Sequence, residues 1–462
     1  MSEISDKHKN LLLPYQVNDA ENMIRIIKTN GAVLNSSMTG TGKTYTTVCA
    51  CATLKLRPIV ICPKSVIFIW GKVCEIFELK PFFIVNYETI RNSKYYDKNR
   101  KRIKCPYLKY DKKEKKYIWS NLPTDVLFVF DEVHRTNGFG SFNWELLLST
   151  KASTNLPIAL LSATVADTPE KFRLFFYILN FIKREQVIEL KLDYKQYMNI
   201  IDKWIIRAPK PMVRIHNMLY PDRATRMNID VLGDLFPENQ VSATPFTMGK
   251  HTEIKIEAEY ETIYEQLQLL KGKSAKDRGN ILVKVLRAHQ KIELLKIPTF
   301  VELAKDFMAD GLSVVIFVNF TQTLKTLADL LNTKCLIYGE QTDDERQYNI
   351  ESFQSDKQHI IICNIKAGSV GISLHDINGK RRRVSLISPT WSCIDLTQAL
   401  GRIYRAGGKS KSLQRIIYCA GGIEEKIAEK LQRKLKDMSQ INNGDLDVSG
   451  IIFEKKPQQL TE

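Results

Sequence analysis

Residues 37–44, with the sequence SMTGTGKT, constrain the fold of this chain more than any other segment. They follow a short apolar run at residues 32–34 and precede residues that suit a helix. A strand, a glycine-rich loop and a helix in this order form a phosphate-binding loop, in which backbone N–H groups close on phosphate oxygens. The segment therefore predicts an α/β protein that binds a nucleoside triphosphate.

The residue types in this loop suit triphosphate chemistry. Lys43 would place a charge between the β- and γ-phosphates, and the Thr44 hydroxyl would complete the shell of a Mg²⁺ ion. The other predicted phosphate-binding residues are Thr39, Gly40, Thr41 and Gly42. Ser37 stands where the common pattern has glycine, so the alternative is a chance turn rich in Gly and Thr.

A second candidate site follows another apolar run. Residues 126–130 are continuously apolar, as in a strand of a parallel sheet that is buried on both faces, and Asp131, Glu132 and His134 follow. Carboxylates at the carboxyl end of such a strand face the crevice where ligands bind. We expect Asp131 to hold Mg²⁺ and Glu132 to polarise the attacking water.

The strand pattern predicts two parallel α/β sheets of similar size. Short apolar, β-branched runs alternate with helical patterns in each half; they occupy residues 32–36, 59–62, 83–86, 126–130 and 158–161, then 313–319, 335–338, 359–363, 384–387 and 415–419. The predicted domains are a first lobe at 1–245, a helical connection at 246–298, a second lobe at 299–444 and a loosely ordered tail at 445–462.

Net charge indicates a polyanionic partner. The chain carries a formal charge of +17, and residues 91–120 contain twelve Lys or Arg against three acids. This insertion also contains aromatic residues: Tyr95, Tyr96, Tyr107, Tyr110, Tyr117 and Trp119. Residues 102–110 and 115–119 suggest an exposed two-stranded arm that tracks phosphates and stacks bases. The alternative is a solvated insertion that its aromatic residues merely anchor.

Cysteines and apolar runs bound the protein class. The nine cysteines are scattered without zinc-site spacing, and no stretch approaches eighteen apolar residues. We expect reduced, packed cysteines and a soluble, intracellular protein with no membrane partner.

Further motifs resemble those of superfamily 2 helicase-type ATPases. The chain is similar to their Swi/Snf-type translocases, and especially to the compact versions of large DNA viruses; the resemblance covers about residues 11–438. It implies two RecA-like lobes, ATP and Mg²⁺ as ligands, and DNA or RNA as a partner. By this resemblance Gln16 reads the adenine edge, and Ser162, Ala163, Thr164 and His134 couple hydrolysis to strand contact. The implied nucleic-acid contacts are Lys64, Ser65, Asn86 and Tyr87; the basic insertion adds Arg102, Lys104, Lys113 and Lys116.

The second half contains the remaining motifs. Residues 367–374 resemble motif V, in which Gly371 would approach a phosphate. Residues 398–405 match motif VI, with Gln398 as a coupling residue. Arg402 and Arg405 lie three apart on a predicted helix, so they share one face and could act as arginine fingers on the γ-phosphate.

Departures from the family pattern leave the substrate open. Motif II reads DEVH rather than DEAH, and Tyr404 stands where the chromatin translocases usually have histidine. We expect an ATP-dependent translocase on DNA, in particular duplex DNA, that is a monomer and works with transcription or replication proteins. The alternatives are a strand-separating RNA or DNA helicase, the motor portion of a transcription-associated factor, and a nucleic-acid-binding protein without catalysis.

Overall fold

Two compact units make up the part of the chain that the structure describes. The structure is a computed structural model, and it describes residues 3–97, 99–166, 168–182, 194–227, 239–270, 275–368, 372–390, 392–405, 407–420, 424, 428–429 and 451–453. The first unit covers the described residues up to 227, and the second covers those from 239 onward.

A parallel sheet forms the centre of the first unit. Its strands lie in the order β10-β1-β9-β8-β2-β3, and two antiparallel hairpins, β4-β5 and β6-β7, accompany it. The strands are β1 (Ala32–Asn35), β2 (Arg57–Cys62), β3 (Phe83–Asn86), β4 (Lys94–Tyr96), β5 (Arg102–Lys104), β6 (Leu108–Asp111), β7 (Lys116–Trp119), β8 (Val126–Asp131), β9 (Ile158–Leu161) and β10 (Ala224–Thr225). The α-helices are Asp6–Lys9, Pro14–Asn30, Lys43–Leu54, Ile67–Ile76, Tyr87–Ile90, Phe142–Ser153, Arg173–Ile178, Tyr194–Ile201 and Pro211–Leu219.

Strand β8 explains why its sequence is continuously apolar. All six of its residues are buried. Phe128 and Phe130 pack into one core cluster, whereas Leu127 and Val129 pack into another. Since successive side chains of a strand point to opposite faces, β8 is covered on both sides, as expected for a parallel sheet with helices on each face.

The basic insertion forms two hairpins rather than the single predicted arm. Tyr95 pairs with Ile103 in the first hairpin, and Tyr110 pairs with Tyr117 in the second. Tyr117 and Trp119 are buried in the core of the first unit, where the Trp119 indole donates a hydrogen bond of 2.9 Å to the Thr150 hydroxyl. The prediction that Tyr117 and Trp119 stack on bases is therefore wrong, because these buried side chains anchor the insertion.

The second unit contains a larger parallel sheet, which confirms the predicted fold class of two RecA-like parallel-sheet lobes. Its strands lie in the order β13-β14-β12-β15-β16-β11-β17. They are β11 (Asn239–Phe246), β12 (Ser313–Val318), β13 (Leu336–Ile337), β14 (Ile360–Asn364), β15 (Arg383–Ile387), β16 (Ser412–Cys419) and β17 (Ile451–Phe453). The α-helices are Lys250–Gln268, Ala275–Leu295, Ile297–Ala309, Thr321–Leu330, Asp343–Gln354, Ile365–Gly368 and Cys393–Leu400.

The division between the units differs from the predicted boundary after residue 245. Strand β11 pairs along its whole length with β16, so residues 239–246 belong to the second sheet. Strand β17 pairs with β11 on its other side and lies in the stretch that was predicted to be a loosely ordered tail. The sequence NQVSATPF of β11 is too polar, and carries a proline, to indicate a sheet strand.

The helices at residues 250–268 and 275–295 are also part of the second unit. The Tyr260 hydroxyl donates a hydrogen bond of 2.7 Å to the Glu424 carboxylate, and that carboxylate also pairs with the ammonium of Lys296. Lys296 and Glu424 are both buried, so the pair compensates charges that would be costly alone. This polar cluster ties the helix at residues 250–268, and Lys296 directly after the helix at 275–295, to Glu424 beyond strand β16.

Candidate nucleotide and nucleic-acid site

The loop after β1 has the backbone of a phosphate-binding loop. Gly40 and Gly42 have φ angles of 86° and 96°, a left-handed conformation that favours glycine. Helix Lys43–Leu54 begins directly after Gly42. The start of the helix, with its positive dipole end, therefore faces the loop. Gly42 has no side chain that could cap the first N–H groups of the helix.

Gln16 and Tyr15 hold this loop from the preceding helix. The Gln16 side-chain amide donates a hydrogen bond of 2.9 Å to the Thr41 carbonyl and accepts one of 2.9 Å from the Leu13 backbone N–H. The Tyr15 hydroxyl donates to the same Thr41 carbonyl at 3.1 Å. Gln16 therefore positions the loop in this conformation, and its reading of adenine stays a prediction.

Ser37, the departure from the common pattern, has a structural role. Its hydroxyl accepts a hydrogen bond of 2.8 Å from the Met227 backbone N–H, and the Arg226 guanidinium donates one of 2.6 Å to the Ser36 carbonyl. A glycine at position 37 could not make the first of these bonds. The serine thus fastens the start of the loop to the segment that follows β10.

Lys43 lies over the loop, as phosphate binding requires. Its ammonium donates hydrogen bonds to the carbonyls of Ser37 at 2.8 Å and Met38 at 3.3 Å. The Thr41 hydroxyl donates to the same Met38 carbonyl at 2.8 Å. The charge of Lys43 is therefore held in the middle of the loop and close to its backbone.

Asp131 is the last residue of strand β8, and Glu132 follows it directly. One Asp131 carboxylate oxygen accepts a hydrogen bond of 2.9 Å from the Trp70 indole, and the other accepts one of 2.9 Å from the Glu132 backbone N–H. Burial, together with the neighbouring Glu132 charge, raises the pKa of Asp131 to about 6, although the Trp70 bond and the charge of Lys43 oppose the shift. Two residues far apart in sequence, Lys43 and Asp131, thus interact electrostatically.

Glu132 has an unusual backbone. Its φ angle is 52°, in the left-handed region, where residues other than glycine are uncommon. This conformation turns the chain sharply out of β8 and begins the short 3₁₀ turn Val133–Thr136. Strain at such a position is often found at functional sites.

The coupling residues connect three strand ends. His134 Nδ1 lies 3.0 Å from the Ser162 hydroxyl and 3.4 Å from a Glu132 carboxylate oxygen. Ser162 donates its backbone N–H to the Asn35 carbonyl at 3.1 Å, and its hydroxyl accepts from the Thr164 N–H at 3.2 Å. Ala163 lies between these two residues. The predicted coupling set therefore joins the ends of β8 and β9 to β1, from which the loop begins.

Asp19 is a site residue that the sequence did not reveal. It is buried, its carboxylate accepts hydrogen bonds from Asn35 at 2.8 Å and from Thr225 at 2.5 Å, and burial raises its pKa while the charge of Lys43 lowers it. Asn35 in turn accepts from the Ser37 N–H at 3.0 Å. This carboxylate supports the loop from behind; its only sequence signal is an acid on the apolar face of a helix.

Two predicted nucleic-acid contacts are buried instead. Tyr87 is fully buried, and its hydroxyl donates a hydrogen bond of 2.9 Å to the Asp131 carbonyl. Asn86 is also buried, and its side chain bonds to Glu88 and to the Tyr96 hydroxyl. The prediction that Asn86 and Tyr87 contact nucleic acid directly is therefore wrong in this structure: Tyr87 supports the end of β8, and Asn86 binds Glu88 and Tyr96 beside the end of β3.

The remaining predicted contacts of the first unit lie at the surface. Lys64 is exposed and Ser65 is half-buried in the short turn that follows β2. In the hairpins, Arg102, Lys104, Lys113 and Lys116 are all exposed. The structure therefore leaves their charges accessible to a polyanion.

The motif VI arginines lie after a helix and not on it. Helix Cys393–Leu400 ends before Gly401, so the prediction that one helix face presents Arg402 and Arg405 is wrong. The Arg402 guanidinium donates to the carbonyls of Gln398 at 2.9 Å and Ile372 at 3.1 Å, and it is buried.

Arg405 is more accessible than Arg402. It is half-buried, and its guanidinium donates to the Ser373 hydroxyl at 2.6 Å and to the Gly401 carbonyl at 3.1 Å. Both arginines therefore hold the segment that resembles motif V. Gly371 lies outside the described residues.

The donor set suits Mg²⁺. The Thr44 hydroxyl and the Asp131 carboxylate are hard oxygen ligands of the kind that this ion binds together with phosphate oxygens. Asp131 is already oriented by two N–H donors, and the raised pKa of its buried carboxyl indicates a charge that a cation would stabilise. The residues present therefore fit the ion.

Comparisons with known proteins find helicases among the relatives of this chain. Residues 296–407 match the family described as helicase conserved C-terminal domain. A protein of Acanthamoeba polyphaga mimivirus, provisionally named an ATP-dependent RNA helicase, is 39% identical over 96% of this chain and 86% of its own length.

None of the described helices is long and apolar enough to cross a membrane.

Longer relatives match with lower identity. The chromatin remodeling factor mit1 of Schizosaccharomyces pombe is 23% identical over 96% of this chain, which spans 34% of mit1. The DNA repair and recombination protein RAD54 of Saccharomyces cerevisiae is 28% identical over 32% of this chain and 17% of its own length. Among solved structures, S. cerevisiae Dbp5 bound to RNA and ADP BeF3 matches at 13% identity with a TM-score of 0.48, over 96% of this chain and 94% of Dbp5.

Proposed function

This chain belongs to the superfamily 2 helicases, and we propose that it hydrolyses ATP to ADP and phosphate in order to move along DNA, in particular duplex DNA. The observation that carries the proposal is the parallel pairing of both β1 and β8 with β9, which sets the phosphate loop and Asp131 at the same edge of the sheet. The charge of Lys43 also acts on the Asp131 carboxylate, which supports one shared site. Such an arrangement suits phosphoryl transfer, which depends on positioning and charge neutralisation.

In the proposed mechanism each residue of the first unit has a distinct task. Lys43 and the loop N–H groups bind the β- and γ-phosphates, and Thr44 and Asp131 would hold Mg²⁺. The ion would neutralise charge that develops on the phosphate oxygens. Glu132 orients the attacking water, and Trp70 keeps the Asp131 carboxylate in place.

The second unit contributes Arg402 and Arg405 as proposed arginine fingers. Arg405 is the better candidate for direct contact, because Arg402 is buried against two carbonyls. Gln398 would support this turn through its carbonyl, which accepts from Arg402. Gly371 remains a proposed contact at the phosphates.

Coupling would run through His134 and Ser162. A change at the γ-phosphate that moves Glu132 also moves His134, and the 3.0 Å contact passes that change to Ser162 at the end of β9. The exposed lysines and arginines of the hairpins, together with Lys64 and Ser65, are the proposed nucleic-acid surface. The further proposals are a monomeric, intracellular protein and partners from transcription or replication.

A strand-separating RNA helicase is the second candidate function. It is favoured by one finding, the name given to the mimivirus relative that is 39% identical. A nucleic-acid-binding protein without catalysis is disfavoured by the intact set of Lys43, Asp131 and Glu132.

ATP hydrolysis measured with and without nucleic acid tests the proposal. We expect duplex DNA to stimulate wild-type turnover and Lys43→Ala to abolish it while nucleic-acid affinity stays within a few-fold. Turnover that is insensitive to every nucleic acid, or that survives Lys43→Ala, would contradict the assignment. Single-stranded RNA as the one effective stimulator would favour the second candidate.

A further inference from the structure

An exposed aromatic patch lies beside the basic hairpin β6-β7. We define it as Phe139, Phe142 and the half-buried Tyr110. Phe139 is 82% exposed and Phe142 is 54% exposed, whereas large apolar side chains in this unit are mostly buried. The Phe142 ring lies 5.8 Å from that of Tyr110, and the Phe139 ring lies 5.1 Å from that of Trp144.

The loop architecture holds Phe139 outward. Gly138 and Gly140 flank it, and Gly140 has a φ angle of 70° that favours glycine. Ser141 then caps helix Phe142–Ser153 by accepting from the Trp144 N–H at 3.2 Å. The helix start and the edge contact with Trp144 fix the ring position, so its exposure is a consequence of a well-formed turn.

Exposed basic side chains follow Tyr110 in the turn of the same hairpin. Tyr110 pairs with Tyr117, whose N–H donates to the Ser149 hydroxyl of the same helix at 3.0 Å. The hairpin is therefore attached to helix Phe142–Ser153 at defined points. Its turn exposes Lys112, Lys113, Lys115 and Lys116 against Asp111 and Glu114. A patch of exposed aromatic rings with a rim of lysines is complementary to stacked bases on a phosphate backbone.

We propose that Phe139 and Phe142 form a stacking site for unpaired nucleobases, with the lysines of the β6-β7 turn binding the adjoining phosphates. This proposal rests on the proposed function in one respect, that the protein binds nucleic acid. It assigns the base contacts to residues other than Tyr117 and Trp119, whose rings are buried. Single strands, gaps and duplex ends supply unpaired bases.

The stacking site is joined to the acidic strand end by a short, anchored segment. The turn Val133–Thr136 follows Glu132 directly, and the Asn137 side chain donates to the Val165 carbonyl at 2.8 Å. Phe139 follows two residues later. A base that stacks on Phe139 would therefore bind to the same short segment that begins at Glu132 and contains His134, so base stacking should affect stimulation of hydrolysis as well as binding.

Binding of two labelled oligonucleotides tests the proposal. One is a single-stranded oligothymidine, and the other is an abasic strand of equal length and charge; fluorescence anisotropy gives the affinity for each. We expect Phe139→Ala to weaken oligothymidine binding by about 5-fold or more, as for loss of one base–aromatic stack. Binding to the abasic strand and the salt dependence of affinity should stay unchanged, and Phe139→Trp should restore the preference for bases.

A matched control is Tyr348→Ala. Tyr348 is 71% exposed on helix Asp343–Gln354, whose first turn is acidic, so its removal should change neither affinity. Replacing Lys112, Lys113 and Lys115 with Gln should instead weaken binding of both strands and lower the salt slope by up to about 0.7 for each single-strand phosphate that is no longer neutralised. If wild type binds both strands equally, or Phe139→Ala weakens them equally, the stacking site is refuted while nucleic-acid binding stands. If wild type binds neither single strand but binds duplex DNA in the same assay, the stacking site is refuted and the proposed function stands; failure to bind duplex DNA as well would overturn the proposed function itself.

Discussion

Substitution of Gly42 by alanine should disrupt the phosphate loop by two separable effects. The φ angle of 96° would strain any other residue by about 1–2 kcal/mol. In addition, the new Cβ would lie 2.2 Å from the Gln16 side-chain nitrogen, so this amide must move. Movement would break the bonds to Thr41 and Leu13, at a net cost of about 1 kcal/mol each.

Gly31→Ala is the matched control for this prediction. Gly31 also has a left-handed φ, 67°, but a Cβ added to it would meet no atom within 4 Å, so only the backbone cost applies. We therefore expect Gly42→Ala to lower the free energy of unfolding by about 1–2 kcal/mol more than Gly31→Ala does. For a unit of this size that difference lowers the melting temperature by about 2–4 °C per kcal/mol.

Thermal unfolding and ATP hydrolysis measure the two consequences. Gly42→Ala should also raise the KM for ATP strongly, because the displaced loop N–H groups no longer fit phosphate. Adding Gln16→Ala should relieve the clash, so the double variant should lose less stability than the sum of the single changes. Equal destabilisation by Gly42→Ala and Gly31→Ala, or strict additivity with Gln16→Ala, would refute the role of Gln16 as a support of the loop.

Three further variants test individual site residues. Glu132→Gln should bind ATP but slow the chemical step by about 10²-fold or more, as measured by single-turnover hydrolysis; near wild-type turnover would exclude a water-positioning role. Arg405→Ala should lower kcat by about 10³-fold with little change in KM, since an arginine finger acts on the transition state; a raised KM at constant kcat would make it a binding residue. Asp131→Asn should abolish hydrolysis yet unfold at a higher temperature than wild type in Mg²⁺-free buffer. The pKa of Asp131 in the folded protein, about 6, exceeds that in the unfolded chain, so the protonated carboxyl stabilises wild type fully below about pH 4. Wild type loses this stability as the pH rises through 6. The stability that Asp131→Asn gains over wild type should therefore grow across that window to at most about 3 kcal/mol and level off above it. A gain that is independent of pH would contradict the raised pKa.

The strands that carry the site were predictable because continuous apolar runs in the sequence indicate buried strands. The apolar run of β8 leads directly to Asp131, and the apolar run of β1 leads to the phosphate loop. Both strands end within one residue of the predicted position. Strand β11 was not predictable in this way. Its alternation of polar and small residues becomes a strand only because β16 and β17 pair with it.

Side-chain partners distant in sequence were the least predictable part of the site. Nothing near Trp70 indicates that its indole binds Asp131, and Asp19 meets Asn35 and Thr225 only after the helix packs against β1. Tyr87 is one of the implied nucleic-acid contacts, but it is buried and its hydroxyl bonds to the Asp131 carbonyl, because packing of the sheet covers it. Contacts between side chains that are distant in sequence depend on tertiary packing, whereas the conformation of the phosphate loop depends on the residues of the loop itself.

Displacement of a third strand from a DNA triplex tests the central claim most directly. A motor that moves on duplex DNA should displace the tethered strand with ATP, and duplex DNA should stimulate hydrolysis at least as well as single strands do. Lys43→Ala should do neither. Stimulation by single-stranded RNA or DNA alone, together with efficient separation of a tailed duplex of about a few tens of base pairs, would contradict translocation on duplex and identify a strand-separating helicase.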